Sequence, residues 1–339
     1  MRARCLVSLL LTGALGACGN VQTAWGGDGA QGERFITLFQ IFLVVTVTVY
    51  VLVIGFLLAA IFRRRADSDT KTVENRAHHR SSLALTPALI GWTALVAIGL
   101  AGLTIASYVF DRSDARAAQR DLLSIEVTAH QFWWDVEYLA SGDASRIVRT
   151  ANELHLPVGV PVQIRLNSSD VIHSLWIPNL AGKQDLIPGR DTDLTVTPTK
   201  VGLYRGRCAE FCGVQHAHMA LDVTVESAAD FNRWYNAQLQ PAAPPKTPQA
   251  LAGYLYVTNR ECRMCHTISG TAASGRVAPD LTHIASRRSI GAGTLPMNRG
   301  NLYAWVADPQ SQKPGNHMPV VGLEPDELHA VVAYLEGLK

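Results

Sequence analysis

One short segment of the chain concentrates side chains that bind soft metals. It reads Cys208-Ala-Glu-Phe-Cys212-Gly-Val-Gln-His216-Ala-His-Met219, so two thiols, an imidazole and a thioether fall within one loop. Thiolate and thioether sulfur favour Cu(I), and imidazole binds copper in either oxidation state. A mononuclear blue-copper site needs a single cysteine, so the second thiol indicates two coppers bridged by two thiolates. Each copper then needs a terminal imidazole and one weak ligand.

A second cluster of reactive side chains lies further along the chain. It reads Cys262-Arg-Met-Cys265-His266, the attachment signature for c-type haem, in which the thiols bond the haem and the histidine binds the iron. A thioredoxin-like or zinc motif is the alternative. The C-terminal part of the chain has no second cysteine pair and no βαβ pattern, which favours haem. Two one-electron centres on one chain indicate electron transfer.

Two simpler explanations of the cysteines remain open. An exported protein could join its four thiols into two disulfides, because its compartment can be oxidising. That explanation leaves His216, Met219 and His266 without a reason for their spacing. Zinc would accept the cysteines and histidines of the first loop but would gain little from Met219.

Length and composition bound the architecture and the partners. The chain has 339 residues, which suffices for two or three domains. The formal net charge of +2 is too small to suggest nucleic acid. Hydrophobic residues make up 48% and charged residues 17%, and the apolar residues are clustered, which indicates a membrane contribution.

The N-terminal part predicts export and anchoring. Residues 1–17 have the basic start, apolar run and small residues of a secretory leader, and the leader ends at Cys18 in a lipoprotein-like cleavage box. Cys18 is therefore a candidate lipidated N-terminus, with ordinary cleavage nearby as the alternative. Two uncharged runs, Phe35–Phe62 and Ser81–Phe110, exceed the ~20 residues that span a bilayer. A basic segment, 63–80, separates them and predicts that everything after the second span faces outward.

The rest of the chain changes pattern twice. Short alternating segments predict a small β sandwich or barrel, followed by a short closing helix. A Pro-rich stretch, 240–249, predicts a semi-rigid linker. Beyond it we expect a helix before the second cysteine pair and a final helix beginning near Pro325. The predicted strands are Ser124–Thr128, Phe132–Tyr138, Val162–Asn167, Asp193–Thr197 and Ala220–Val225, and the predicted closing helix is Asp230–Leu239.

The loop Cys208–Met219, which we call the copper loop, and the segment 170–190 resemble subunit II of haem–copper cytochrome c oxidases. His173, in Ser-Ser-Asp170-Val-Ile-His173, is the best candidate for the missing imidazole, and Asp170 either hydrogen-bonds a ligand imidazole or caps a turn. The resemblance implies a cupredoxin domain with a binuclear CuA centre. It further implies the ligand roles, with cysteines that bridge the coppers, terminal histidines, a weak thioether, a weak backbone carbonyl from Glu210, and a Glu210 side chain that reaches a Mg²⁺ shared with subunit I. The implied copper ligands are His173, Cys208, Glu210, Cys212, His216 and Met219.

The C-terminal part resembles small class I cytochromes c. The resemblance rests on Ala278-Pro-Asp-Leu281 and on the final helix. A distal methionine raises the potential of a His-ligated haem. Met318, which precedes a proline shortly before the last helix, is the expected ligand, and Met297 is the alternative.

An aromatic stretch marks the expected point at which electrons enter the predicted cupredoxin domain, which we also call the copper domain. In many members of the family a tryptophan follows the His-Gln pair, whereas here the stretch is Phe132, Trp133 and Trp134. The phenylalanine argues against docking of a mitochondrial-like cytochrome and fits a donor fused to the chain. Trp134 also fits an aromatic core position.

Together these patterns predict a multidomain chain that combines a transmembrane α-helical hairpin, an all-β cupredoxin-like domain and an all-α class I cytochrome c domain. The expected function is subunit II of a caa-type oxidase, which relays electrons from an external cytochrome c or similar donor through haem c and CuA to subunit I. The alternatives are a CuA-bearing subunit of a nitric-oxide reductase and a membrane-anchored copper-handling protein. We expect a bacterial plasma membrane location, with other oxidase subunits as partners. The predicted parts are a leader (1–17), a hairpin (30–112), a cupredoxin domain (120–239), a linker (240–249) and a cytochrome c domain (250–339).

Overall fold

The computed structural model describes residues 21–66, 77–117, 123–139 and 146–339. The leader, Cys18 and the centre of the basic segment lie outside these residues. The described residues divide into two compact units, one within Arg34–Ala117 and the other made of the rest. The helices are α1 Ala30–Ala66, α2 Ala77–Ala117, α3 Ala228–Gln238, α4 Pro248–Asn259, α5 Cys262–Cys265, α6 Arg299–Ala307, α7 Pro309–Gln312 and α8 Pro325–Leu335. The strands are β1 Leu123–His130, β2 Trp133–Leu139, β3 Val148–Ala151, β4 Glu153–Pro157, β5 Val162–Ser168, β6 His173–Trp176, β7 Gln184–Leu186, β8 Thr192–Val196, β9 Gly202–Cys208, β10 Ala220–Glu226, β11 Ser289–Ile290 and β12 Leu295–Pro296.

Helices α1 and α2 are long and apolar enough to cross a membrane. The candidate spans are Ala30–Phe62, with a mean hydropathy of 2.9, and Thr86–Val109, with a mean hydropathy of 2.0. At about 1.5 Å per residue either span exceeds a hydrocarbon core of about 30 Å. The most apolar part of each helix is not buried by any other part of the described structure. Its side chains would be shielded from water only by lipid or by a partner protein. The two long apolar helices predicted from the sequence are therefore present, and both are candidate membrane spans.

The strands β1 to β10 form two five-stranded sheets. One sheet has the order β3-β2-β1-β5-β8, and the other has the order β4-β10-β9-β6-β7. Within them β1 runs parallel to β5 and β4 runs parallel to β10, and the other pairs are antiparallel. Alternate residues of β1 and β5 are buried, as expected for strands with one face on a core. The two sheets thus enclose an apolar core.

Each of the five predicted strands overlaps an observed strand, although the predicted ends Phe132 and Thr197 lie one residue outside β2 and β8. Five other strands of the two sheets were missed. The missed strands are short or carry polar residues, so their alternation is weak in the sequence. The most important of them is β9, because its last residue is Cys208 and it places the start of the copper loop on a regular strand.

The C-terminal domain is built around helices α4 and α8. A Cβ atom on Gly253 would lie 2.0 Å from the Ala330 carbonyl oxygen, so only glycine permits the two helices to cross this closely. Thr247 caps α4 by accepting a hydrogen bond from Ala250, and a capping box of Glu324 and Glu327 begins α8. The domain is helical apart from the two-residue pairing of β11 with β12. The fold class predicted from the sequence is confirmed.

A buried cluster of charged side chains surrounds His155. Its Nδ1 lies 2.8 Å from a Glu226 carboxylate oxygen and its Nε2 lies 3.7 Å from Glu153, while its ring stacks on Trp234 at 4.0 Å. Burial alone lowers the pKa of His155, but the two carboxylates outweigh burial and raise the pKa above its ordinary value. Arg287 of the C-terminal domain lies 3.6 Å from Glu153 and adds a compensating charge.

The raised pKa of His155 predicts a pH-dependent stability. A group whose pKa is higher in the folded state stabilises the fold fully below its unfolded pKa, about 6.5, and loses that contribution as pH rises through the folded value. We expect the midpoint of thermal unfolding of the full-length chain to fall between pH 6 and pH 9, and His155→Gln to flatten this dependence. The exposed His329 supplies the control, His329→Gln, which should leave the pH dependence unchanged. An identical slope in His155→Gln and wild type would contradict the assignment.

Candidate copper and haem sites

Two neighbouring strands bring the candidate copper ligands together. Strand β6 begins at His173 and pairs with the end of β9, with Leu175 opposite Cys208. The backbone N–H of Cys208 donates to the carbonyl of Met219 at 2.9 Å, which joins the two ends of the loop. A single 3₁₀ turn, His216–His218, occupies the far side of the loop. The loop is therefore held by the sheet at both ends.

The two cysteines form the centre of the site, and each faces one histidine. Their Sγ atoms are 3.8 Å apart. His173 Nδ1 lies 3.7 Å from the Cys208 sulfur, and His216 Nδ1 lies 3.7 Å from the Cys212 sulfur. Among the described residues, the metal-ligating atoms of His173 and both cysteines lie within 4.8 Å of one another.

The two candidate weak ligands approach the same sulfurs. Met219 is fully buried and its Sδ lies 3.9 Å from the Cys212 Sγ, while the Glu210 carbonyl oxygen lies 3.1 Å from the Cys208 Sγ. The six ligand groups predicted from the sequence, which are five side chains and the Glu210 carbonyl, therefore all lie around the two cysteine sulfurs. The donor set of two sulfurs, two imidazoles, a thioether and a carbonyl fits a pair of soft metal ions.

The pKa values of the two thiols shift in opposite directions. Contact with Cys212 lowers the pKa of Cys208 to about 3, while the same contact together with burial raises the pKa of Cys212 above its ordinary value. Two adjacent thiolates repel each other, so without metal the pair ionises in two well-separated steps. The sulfurs are too far apart for a disulfide, whose bond is about 2.05 Å, and all four cysteines of the described residues are free thiols.

Asp170 orients the imidazole of His173. Its Oδ1 lies 2.8 Å from His173 Nε2, and its Oδ2 accepts the backbone N–H of Gln131 at 2.6 Å. The carboxylate therefore fixes the proton on Nε2 and leaves the Nδ1 lone pair facing the cysteine sulfurs. Burial opposes the shift, but the carboxylate and Cys208 raise the pKa of His173 above its ordinary value. Asp170 also accepts the N–H of the adjacent Val171, which holds its carboxylate beside His173.

The aromatic stretch lies against the copper loop. Trp134 is fully buried, and its ring meets His173 edge-on with the centroids 6.3 Å apart. Trp133 stacks on His130 at 4.3 Å. Phe132 is only 5% exposed, because its ring packs beside Gly213 and against His317 of the C-terminal domain.

The Cys262-x-x-Cys265-His266 segment has the geometry of an attachment site. Both cysteines lie on the single turn of α5 and are partly exposed. His266 Nδ1 donates to the Pro279 carbonyl at 2.7 Å, so the neutral ring keeps a free lone pair on Nε2. Burial lowers the pKa of His266, which favours this neutral form. A Cβ on Gly275 would lie 2.4 Å from the Met264 carbonyl, so a glycine is required behind the turn. This segment fits a haem bound through two thiols and one imidazole.

The two candidate distal methionines have different surroundings. Met297 packs against the apolar core of the C-terminal domain. The backbone of Met318 is held on both sides, because its N–H donates to Asn316 Oδ1 and its carbonyl accepts from Gln310, each at 2.8 Å. Its half-buried side chain lies in the segment before α8.

Three residues at the site were missed from the sequence. Gln131 donates to the carbonyl of Cys212, Gln215 donates to the carbonyl of Pro314, and Lys313 donates to three carbonyls around the copper loop. Gln131 could have been noticed as the neighbour of the aromatic stretch. Nothing in the sequence distinguishes Lys313 from an exposed surface lysine.

Two family models match successive parts of the chain. Residues 126–227 match the model described as cytochrome c oxidase subunit II, periplasmic domain. Residues 250–339 match the model described as cytochrome c. The first model implies CuA copper and the second implies haem.

Curated relatives share this arrangement along nearly their whole length. Cytochrome c oxidase subunit 2 of Alkalihalophilus pseudofirmus is 30% identical over 334 residues, covering 98% of this chain and 95% of that protein. The same subunit of Bacillus subtilis is 30% identical over 351 residues, covering 98% and 96%. The periplasmic domain of subunit II of cytochrome oxidase of Bradyrhizobium japonicum is a similar solved structure, with 26% identity, a TM-score of 0.32, and coverage of 34% of this chain and 92% of that one. The extent and identity of the curated matches show that this chain belongs to the cytochrome c oxidase subunit 2 family.

Proposed function

We propose that this chain is the electron-relay subunit of a haem–copper terminal oxidase. It accepts electrons from an external cytochrome c or similar donor and passes them to subunit I, where O₂ is reduced to water and protons are pumped. The observation that carries the proposal is the convergence of two imidazoles, a thioether and a backbone carbonyl on the Cys208–Cys212 sulfur pair. Within the described residues, the remaining candidate cofactor site is the haem attachment segment.

The proposed copper ligands divide into three pairs. Cys208 and Cys212 would hold both metals, His173 and His216 would each bind one of them, and Met219 and the Glu210 carbonyl would be the weak ligands. Bound copper and haem supply one-electron redox chemistry. The protein holds the donors on paired strands and excludes water, since both cysteines are 3% exposed and Met219 is fully buried. Such a preformed site limits rearrangement when its charge changes. Zinc would gain little from a buried thioether, so Met219 favours copper.

The proposed haem ligands are His266 and Met318, with thioether bonds from Cys262 and Cys265. Phe132, Trp133 and Trp134 mark where electrons enter the copper domain. The contact of Phe132 with His317 supports a donor that belongs to the same chain. The Pro-rich linker keeps that donor at a high effective concentration, so transfer does not wait for a diffusional encounter.

The remaining parts of the proposal concern location and a third metal. Two membrane-capable helices and a domain of the subunit II periplasmic family fit a membrane-anchored protein. We place it in the bacterial plasma membrane, with the cupredoxin and cytochrome c domains outside. The leader and the lipidation of Cys18 stay predictions. The Glu210 side chain is the proposed ligand for a Mg²⁺ shared with subunit I.

The first test is metal and haem analysis with electron paramagnetic resonance on the purified full-length chain. We expect two coppers and one covalent haem per chain, with a hyperfine pattern from one electron shared by two copper nuclei. Cys212→Ser should abolish the shared-electron pattern and leave the haem content unchanged, because the two sites use different residues. Bound zinc, or a single labile copper in the wild type, would contradict the relay and favour a structural or copper-handling loop.

Asp170→Asn tests the orientation of His173. The amide can still accept a hydrogen bond but carries no charge, so we expect copper to dissociate about 10-fold faster to a competing chelator. Asp191→Asn, at an exposed position of the same domain, is the matched control. Equal dissociation rates in the two variants would remove Asp170 from the site.

Substitution of each methionine separates the two haem-ligand assignments. Met318→Ala should lose the weak near-infrared sulfur-to-iron band of the ferric haem and lower its reduction potential, because a thioether ligand stabilises the ferrous state. Met297→Ala should keep the band and mainly lower the thermal stability of the domain. The reverse pattern would assign the ligand to Met297.

A further inference from the structure

One buried lysine connects the C-terminal domain to the copper domain. Lys313 is 2% exposed, and its Nζ donates to the carbonyls of Phe132 at 2.9 Å, His218 at 2.8 Å and Gly291 at 2.8 Å. An ammonium group has three N–H donors, so these three bonds satisfy it completely. We call this arrangement the lysine bridge.

The three acceptors of the lysine bridge come from separate segments. Phe132 belongs to the aromatic stretch, His218 belongs to the copper loop, and Gly291 belongs to the turn between β11 and β12 of the C-terminal domain. The acceptors are neutral carbonyls, so the charge is not compensated by a bonded carboxylate. Burial accordingly lowers the pKa of Lys313 to about 7. Burying a cation with no bonded anion costs desolvation energy, which the three hydrogen bonds to carbonyls offset only in part.

Further hydrogen bonds surround the lysine bridge and fix the same orientation. The Ala220 N–H donates to Ala292 at 3.0 Å, and Arg205 donates to Gly293 at 2.8 Å. Gln215 donates to Pro314 at 2.7 Å. Each of these three bonds ends on a backbone carbonyl of the C-terminal domain, so backbone geometry adds to the side-chain contacts that Lys313 and Arg287 make with the other domain.

The close approach at this contact also depends on glycines. A Cβ on Gly293 would lie 2.9 Å from the Ala220 Cβ, and a Cβ on Gly315 would lie 2.8 Å from Val214. Both glycines have a positive φ, of 75° and 82°, which other residues rarely adopt. The turns that carry them can therefore lie directly on the copper loop.

The lysine bridge lies in the segment that carries the proposed distal haem ligand. Lys313, His317 and Met318 follow one another closely, and the His317 ring faces Phe132 at 6.5 Å. We propose that Lys313 is a positioning residue that fixes the haem-bearing domain on the copper loop in one orientation suited to electron transfer within the chain. This inference rests on the proposed function for its consequence, but the docking itself involves residues of this chain alone.

The test compares Lys313→Met with Lys339→Met in the full-length holoprotein. Methionine keeps the unbranched side chain up to the position of Cε and removes the ammonium group with its three donors, and Lys339 is an exposed lysine of the same domain. In Lys313→Met we expect the Ala220 amide to exchange at least about 10-fold faster with deuterium, because its acceptor Ala292 is no longer held in place. We expect electron transfer between haem and copper after flash reduction to slow by a similar factor, with the static spectra of both centres unchanged. Lys339→Met should match the wild type in each measurement.

A measurement on the wild type keeps the proposal testable if Lys313→Met does not fold. Brief acylation with acetic anhydride should label Lys339 readily and leave Lys313 unlabelled, although an accessible amine with a lowered pKa would react faster. Rapid labelling of Lys313, or unchanged exchange and transfer in Lys313→Met, would overturn the proposal. Loss of the two-copper signal in the wild type would overturn the proposed function instead, while the exchange and labelling results would still decide the role of Lys313.

Discussion

The contact between the sulfurs of Cys208 and Cys212 imposes the constraint on which the rest of the copper domain depends. Two thiols 3.8 Å apart cannot both ionise easily without a bound cation, so the pair favours a metal that other donors can also reach. The fold places these donors at fixed positions, with Cys208 at the end of β9, His173 at the start of β6 and Met219 directly before β10. Paired strands thus set the separations of the donors before any metal arrives.

Holding the donors in place buries polar groups, and burial of a polar group costs free energy unless the group is hydrogen-bonded. The structure provides these hydrogen bonds. Asp170 balances the imidazole of His173, and Gln131 joins the aromatic stretch to the carbonyl of Cys212. The same solution recurs at the haem segment, where His266 donates a hydrogen bond to the carbonyl of Pro279. In both places one ring nitrogen is occupied by the protein and the other remains available, so the ligand is oriented by an interaction that does not involve the metal.

The sequence predicted the chemistry of this chain better than its geometry. Cys208, Cys212, His216 and Met219 lie within one loop, so their spacing alone predicted a soft-metal site. His173 is distant in sequence, and only the resemblance to a family identified it. Strand β9 and the role of Lys313 could not be predicted, because a strand with weak alternation and a lysine in a loop have no distinctive pattern. The orientation of a lysine is decided by long-range packing, which a single sequence does not encode locally.

Tethering and docking have different physical effects on the two domains that carry the cofactor sites. A covalent connection by itself raises the concentration of one domain near the other but does not select an orientation. In the proposed docking, the lysine bridge and its surrounding carbonyl contacts select that orientation. Because transfer between centres depends steeply on their separation, a tether without docking would sample many unproductive arrangements. The C-terminal domain also covers Phe132, which lies against His317. This burial fits the proposal that an external donor delivers electrons to the haem domain rather than to the aromatic stretch. A phenylalanine where the family commonly has a tryptophan fits the same proposal, since the position faces another part of this chain.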